Sequence, residues 1–217
     1  MKLERMDEFF AARVDGYDDH MRTNIEGASD FYAYTASLLP ASKDVHVLDL
    51  GCGTGLELEE YFRLNPDVAV TGIDLSEAML KALKAKFPER KIRLIRDSYF
   101  SVPLGEKIYD AAVSVESLHH FTAEQKTSLY GKLHAALKEK GFFVLTDYFA
   151  ESEEFEKEYF ENLKQLKQEQ GLPADVFFHY DTPLTVDHEM HVLRKAGFSD
   201  VRIMKEWGTT FTLFAGQ

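Results

Sequence analysis

Val45-His46-Val47-Leu48-Asp49-Leu50-Gly51-Cys52-Gly53-Thr54-Gly55 is a largely apolar, β-branched run that breaks into alternating glycines. The run predicts a buried strand. Leu56, Leu58, Glu59, Tyr61 and Phe62 predict a helix directly after the glycines. Strand, glycine turn and helix together open an α/β unit. In such a turn glycine allows positive φ and lets a ligand approach the free N–H groups of the helix N-terminus. The spacing Gly51-x-Gly53-x-Gly55 differs from the Gly-x-Gly-x-x-Gly expected around a dinucleotide pyrophosphate. By itself it is also compatible with a tight turn and no ligand.

Outward from this stretch the alternation repeats. Residues 68–73 read as strand, 76–87 as helix stopped by Pro88, 92–95 and 111–115 as strands. Thr122 and Gln125 have capping-box spacing and open a helix whose Leu129, Leu133, Ala136 and Leu137 share one face. Gly141 stands in place to end that helix, before a strand over 142–149. Strands alternating with crossover helices predict a doubly wound, mostly parallel sheet covered on both faces. Residues 201–207 and 209–215 read as two strands joined through Gly208, a connection too short for a parallel crossover, so they pair antiparallel or lie in different sheets. Two segments depart from the rhythm. Residues 1–42, rich in aromatics, read as helices laid over the sheet, and residues 150–184 as an acidic helix followed by the patch Phe177-Phe178-His179-Tyr180. The glutamates between 151 and 161 are read as a solvated face.

Composition narrows the classes. Among 217 residues, 25 Lys and Arg stand against 37 Asp and Glu, a net charge of −12, and 45% of residues are hydrophobic, enough for a packed core. The single Cys52 can form neither an internal disulfide nor a cysteine-based zinc site, and is read as a small buried residue. Acids at Glu4, Asp7 and Glu8 oppose a signal peptide, and no apolar run is long enough for a bilayer, so a cytoplasmic protein without membrane contact is expected. The acidic balance argues against tight nonspecific binding to polyanions and favours a small-molecule partner. Lys81, Lys84, Lys86, Arg90, Lys91, Arg93 and Arg96 nevertheless form a local basic run, which keeps RNA as an alternative to solvated helix and strand faces.

Carboxylates mark the predicted site. Asp49, Asp74 and Asp97 close or follow three successive strands, so all three are expected at one crevice outside the strand carboxyl ends. Asp74 is placed to accept from a ribose diol, with Ser76 better placed to cap the next helix. Asp97, followed by Ser98, suits an exocyclic adenine amine.

On these motifs, with Tyr109-Asp110-Ala111-Ala112-Val113 and Gly141-Phe142-Phe143-Val144-Leu145, the chain resembles the class I S-adenosylmethionine-dependent methyltransferases across about residues 45–150. The resemblance implies a Rossmann-like, seven-stranded sheet with an antiparallel terminal hairpin and a helical N-terminal lid, in one domain over 1–217. Its parts would be a lid at 1–42, a cofactor-binding core at 43–149, a helical acceptor cover at 150–184, and a final helix with the hairpin at 185–217. It implies S-adenosylmethionine as cofactor and S-adenosylhomocysteine as product. By position, Gly51, Gly53 and Gly55 would pass under the methionine part and Asp49 would lie near its ammonium. Asp74 would hold the ribose, Leu75 and Met79 would pack on adenine, and Asp97 with Ser98 would sit at its amine. The Val115 carbonyl would face the ammonium, and Tyr17 would touch the cofactor from the lid. The layout after residue 150 is also similar to the tRNA wobble-uridine carboxymethyltransferases, which use a carboxylated cofactor and need a cation opposite its extra carboxylate. Residues 171–193 contain no Arg or Lys.

Methyl transfer is an in-line displacement that gains from orientation and exclusion of water. Where the acceptor must lose a proton, Glu116, His119 and His120 are the candidate catalytic residues, with Asp147 and Tyr148 near the next strand end; adjacent histidines on extended backbone would point apart. His179, His188 and His191 lack an accompanying carboxylate-rich motif, so no metal is expected. Trp207 with Phe177, Phe178 and Tyr180 would wall an acceptor pocket or pack in the core. The readings in play are a methyltransferase of a small molecule, one of tRNA or another RNA, and a noncatalytic binding module. The sequence leaves the oligomeric state unknown.

Overall fold

The predicted alternation builds one sheet around β1 (His46–Leu50). On one side β1 pairs in parallel with β2 (Ala69–Asp74), which pairs with β3 (Ile92–Arg96); on the other it pairs with β4 (Tyr109–Val115), followed by β5 (Leu137–Tyr148). β6 (Asp200–Trp207) and β7 (Thr210–Gly216) form the antiparallel hairpin, and β7 inserts beside β5, giving the order β3-β2-β1-β4-β5-β7-β6. This computed structural model describes residues 1–173 and 175–217.

Alternate residues of the central strands enter different cores. Leu48, Leu50, Ala112, Phe143 and Leu145 join one apolar cluster; Val47, Ala111, Val113 and Val144 join the other. That is why these strands read as continuous apolar runs rather than as alternating ones. On the first face lie α6 (Ala123–Ala136) and α8 (Val186–Lys195), joined by a fully buried ion pair, Lys126 Nζ to Glu189 Oε2 at 2.5 Å, with Tyr130 also donating to Glu189. The second face carries α3 (Ala28–Leu38), α4 (Leu56–Leu64) and α5 (Glu77–Lys86). α1 (Met6–Ala11) and α2 (Val14–Asn24) lie at the strand carboxyl ends, and α7 (Glu153–Glu169) buries none of its residues, consistent with its predicted solvated face. Among the described residues, no helix is long and apolar enough to cross a membrane.

One predicted boundary is displaced. Thr122 and Gln125 form the expected capping box, but the helix they open ends at Ala136, not at Gly141. Leu137 is buried in extended backbone opposite Tyr109, and the register slips before Ala111 meets Phe142. Gly141 lies inside this bulge, where a β-carbon would stand 2.9 Å from the Lys138 carbonyl oxygen. The glycine therefore permits a fold-back in β5 rather than capping a helix.

Candidate active site

Strand order reverses direction between β1 and β4, which opens a crevice outside their carboxyl ends. The glycine turn forms its floor. Gly51 has φ +77°, and a β-carbon there would stand 1.9 Å from Ser117 Oγ; at Gly53 the nearest atom would be 4.0 Å away, leaving its backbone open to the crevice. Gly55 serves packing instead, with Leu83 and Phe87 of the next helix region against it. The Asp74 carboxylate accepts from Gly53 N at 2.9 Å and from Ser76 N at 2.7 Å, while Ser76 Oγ caps α5 by accepting from Met79 N. Leu75, Ser76 and Met79 line the narrow crevice with Gly51, Gly53 and Asp74. Met6, Asp7 and Phe10 of α1 and Tyr17 of α2 roof it.

Asp49 lies under the floor. It is fully buried beside Glu57, and both Asp49 carboxyl oxygens and Glu57 Oε1 lack a hydrogen-bond partner. Burial, then the neighbouring Glu57 and Asp74 carboxyls, pushes the Asp49 carboxyl well above the usual range; burial also raises Glu57. The predicted trio thus separates. Asp74 faces the crevice, Asp49 is buried below it, and Asp97 is exposed at the end of β3, accepting from Ser98 N at 2.7 Å. Ser98 Oγ turns back to accept from Phe100 N, and Val115 ends β4 in the core; neither lines the crevice. The small buried Cys52 stands where a β-carbon on Gly72 would come within 2.7 Å of its sulfur.

A larger cavity of about 840 Å³ adjoins the crevice, and Phe10, Tyr17, Glu116 and His120 line both. Phe9, Phe10 and Arg13 cover it from the lid, and Trp207, Thr209 and Thr210 close it from the hairpin. Trp207 packs edge-on against Phe31 and Tyr34, whereas Phe177 packs against Phe100 and Phe121 and Phe178 is buried. The aromatic patch and Trp207 therefore do not form one wall.

The two histidines do converge. After β4 the chain bends at Glu116, whose φ is +49°, and turns through His119 and His120, so their ring centroids are 4.0 Å apart. The expectation that they point apart holds only for extended backbone. Asp147 Oδ1 stands 2.5 Å from His119 Nδ1, and Asp147 Oδ2 accepts from Leu118 N at 2.8 Å. Asp181 Oδ1 lies 3.5 Å from His119 Nε2 and 3.3 Å from His120 Nδ1. Burial opposes charge on His119, yet Asp147 and Asp181 together hold its imidazole well above the usual histidine range. Burial and the His119 charge push His120 down to about 3, leaving it neutral, and its Nδ1–H donates to the Tyr180 carbonyl at 3.1 Å. Burial, then Asp147, pushes the Glu116 carboxyl up to about 8. A residue that stays charged and one that stays neutral leave Glu116 as the titrating group at the junction.

Glu57 and Asp181 were not singled out from sequence. Glu57 had a local signal, a carboxylate between Leu56 and Leu58 on the helix turn that buries Leu56, Leu58 and Tyr61. Asp181 had none, because only the tertiary fold brings it to His119. The remaining histidines lie apart from one another: His179 stacks on Phe9 at 3.5 Å and His188 Nδ1 meets Glu156 at 2.6 Å. The basic run is largely engaged locally, Lys81 and Arg96 with Glu77, Lys84 and Arg90 with backbone carbonyls, and Lys86 with Asp18 at 2.5 Å.

A family model described as a methyltransferase domain matches residues 47–141, from β1 through the glycine turn, Asp74 and the histidine pair into β5. Over that span the chain carries a methyltransferase domain and is similar to the S-adenosylmethionine-dependent methyltransferases. Among relatives of this family, a carboxy-S-adenosyl-L-methionine synthase of Campylobacter curvus is 26% identical over 83% of this chain and 80% of its own length. Among solved folds, a Nostoc punctiforme protein proposed to be an O-methyltransferase aligns with all of this chain at TM-score 0.71 and 19% identity. Human N-acetylserotonin methyltransferase, crystallised with S-adenosylmethionine, aligns over 97% of this chain at TM-score 0.66 and 20% identity. The chain spans 63% of the Nostoc protein and 56% of the human one.

Proposed function

We propose that the protein transfers a methyl group from S-adenosylmethionine to a small-molecule acceptor, acting in the cytoplasm. The observation that carries this reading is the pair of adjoining cavities. The crevice over the glycine turn and the chamber of about 840 Å³ share Phe10, Tyr17, Glu116 and His120, so ligands in the two would meet at those residues. Residues 43–149 would hold the cofactor under a lid of 1–42, with 150–184 covering the acceptor and 185–217 completing the sheet, all in one domain.

The residues present fit the cofactor. Two buried carboxyl oxygens of Asp49 without partners suit an ammonium group, directly or through water. The Asp74 carboxylate, fixed by two backbone N–H groups, keeps lone pairs for a ribose diol. Leu75 and Met79 offer an apolar face to adenine, and Tyr17 closes the crevice from above. When bound, S-adenosylmethionine supplies an electrophilic methyl group on a sulfonium centre. The chain would align the acceptor between Glu116 and His120, exclude water with α1 and α2, and take an acceptor proton on the Glu116 carboxylate. His119, held charged by Asp147 and Asp181, orients the turn and places positive charge beside the acceptor.

The −12 charge and the local engagement of the basic run favour a small molecule over RNA. Calorimetry with S-adenosylmethionine and S-adenosylhomocysteine tests the cofactor, and Asp74→Ala should weaken binding about 100-fold or more, since one truncation removes the diol acceptor and frees two backbone donors. Wild-type protein that neither binds nor is thermally stabilised by these ligands refutes the reading. A labelled-methyl screen of metabolites and RNA separates enzyme from binding module and identifies the acceptor.

A further inference from the structure

His119, His120 and Asp181 offer three donor atoms to one point on the wall of the large cavity. Asp181 Oδ1 stands 3.5 Å from His119 Nε2 and 3.3 Å from His120 Nδ1, and donor atoms of all three residues lie within 4.8 Å of one another. Donors bound at about 2.1 Å to one ion are separated by about 3.0 Å at a right angle and about 3.4 Å at the tetrahedral angle. Both observed separations are close to that range. They are long for hydrogen bonds between an imidazole and a carboxylate.

The support behind the donors is equally specific. His119 Nδ1 is engaged by Asp147 at 2.5 Å, and Asp147 is itself fixed by Leu118 N at 2.8 Å and Tyr148 N at 3.0 Å. A buried carboxylate holding one ring nitrogen so that the other faces the donors is the arrangement that orients histidine on a metal ion. Glu116, His119 and Asp147 also lie close together, but there His119 Nδ1 and Asp147 are spent on each other. The Thr182 N–H donates to the His119 carbonyl at 2.8 Å, which ties the segment bearing Asp181 to the histidine turn. On binding, His120 Nδ1–H, which donates to the Tyr180 carbonyl, would give way to the ion with its proton moving to Nε2, and His119, held charged by Asp147 and Asp181, would release its Nε2 proton to solvent.

We infer that His119, His120 and Asp181 bind one divalent first-row transition-metal ion, with Asp147 as the outer partner of His119. Two imidazoles and one carboxylate favour an ion such as Zn²⁺, Mn²⁺ or Co²⁺ over Mg²⁺ or Ca²⁺, which prefer all-oxygen donor sets. All three ligands line the acceptor cavity, so the open positions on the ion face the chamber where an oxygen of the acceptor would complete the coordination. Only that last role rests on the proposed methyl transfer; the metal site does not.

The test uses the full chain, stripped with chelator and titrated with CoCl₂ while visible absorption is followed, then with ZnCl₂ in competition. One equivalent of cobalt should bind and produce ligand-field bands that zinc abolishes. Asp181→Asn and His120→Gln should each weaken binding about 10–100-fold or more, and Asp147→Asn about 10–100-fold. His188→Gln, a histidine outside the cavity, should leave it unchanged. The Asp181 side chain is 46% exposed, so that variant retains its fold, which circular dichroism checks. No saturable binding tighter than about 100 μM, or wild-type affinity in both Asp181→Asn and His120→Gln, overturns the site. S-adenosylhomocysteine calorimetry on the same samples separates the two readings: cofactor binding without metal overturns only this inference, and metal binding without cofactor overturns only the methyltransferase reading.

Discussion

Asp49→Asn should make the unliganded protein more stable while crippling its affinity for S-adenosylmethionine. Asp49 and Glu57 are 0% and 5% exposed, and three of their four carboxyl oxygens have no hydrogen-bond partner. A buried polar group left unsatisfied costs about 1–3 kcal/mol. An asparagine is nearly isosteric, and its amide can donate to Glu57, so the substitution should gain about 2 kcal/mol, roughly 4–8 °C for a chain of this size. The effect depends on pH. Because the Asp49 carboxyl is raised in the folded state by burial, Glu57 and Asp74, the folded protein binds more protons than the unfolded chain. The associated stability is present at low pH and is lost as pH rises through the raised value. Asp18 raises Glu57 and Lys86 lowers it, without reversing that direction. Differential scanning of both proteins from pH 5 to 8 should therefore show the Asn variant's advantage widening with pH. Saturating S-adenosylhomocysteine, whose ammonium needs the ionised carboxyls, should stabilise the wild type and barely move the variant. A variant that is less stable than wild type throughout, or that binds the cofactor unchanged, would refute the reasoning.

Four further outcomes are expected. Gly51→Ala should impair both folding and cofactor binding, because its β-carbon would stand 1.9 Å from Ser117 Oγ; Ser117→Gly in the same chain should recover part of the loss, leaving about 1 kcal/mol of positive-φ strain, measured by thermal denaturation. Lys126→Met should cost about 3–5 kcal/mol by stranding the fully buried Glu189, and adding Glu189→Leu should restore much of it in denaturant titrations. Glu116→Gln should lower kcat by about 10²–10⁴ for an acceptor that must lose a proton while leaving S-adenosylhomocysteine affinity within a few fold, by steady-state kinetics and calorimetry. Lys86→Glu, which opposes Asp18 across a 2.5 Å ion pair, should loosen α2 and raise the S-adenosylmethionine KM, with faster hydrogen exchange in residues 14–24.

The sheet was legible because its signals are local. Each central strand buries both faces and so reads as an unbroken apolar run, as in Val47-Leu48 entering opposite cores. Thr122, Gln125 and Ser76 announce their helices through caps formed within three residues. Gly141 misleads for the same reason: a glycine after an amphipathic stretch looks like a helix stop, but Leu137 already lies buried in extended backbone opposite Tyr109. Asp97 misleads differently, since position at a strand end fixes where a side chain begins and not whether it faces the crevice.

The two halves of the site differ in how far apart their residues lie in the chain. The cofactor half is written at the ends of β1 and β2, where Gly51, Gly53, Asp74, Leu75 and Met79 span fewer than thirty residues and the backbone itself shapes the crevice. The larger cavity, the proposed acceptor half, draws residues such as Phe9, Tyr17 and Glu26 from the N-terminal helices and their loops, Glu116, His119 and His120 from a turn, Tyr148 from β5, Asp181 from a loop and Trp207 from the hairpin. No spacing rule links segments so distant; they meet only because β7 inserts beside β5 and the Asp181 loop is tied to His119 through Thr182. A short sequence can therefore specify the donor of a group-transfer reaction while leaving the acceptor to tertiary structure. On the proposed function, the positive-φ Glu116, the paired imidazoles and Asp181, which line the larger cavity, are the groups whose chemistry would select the acceptor.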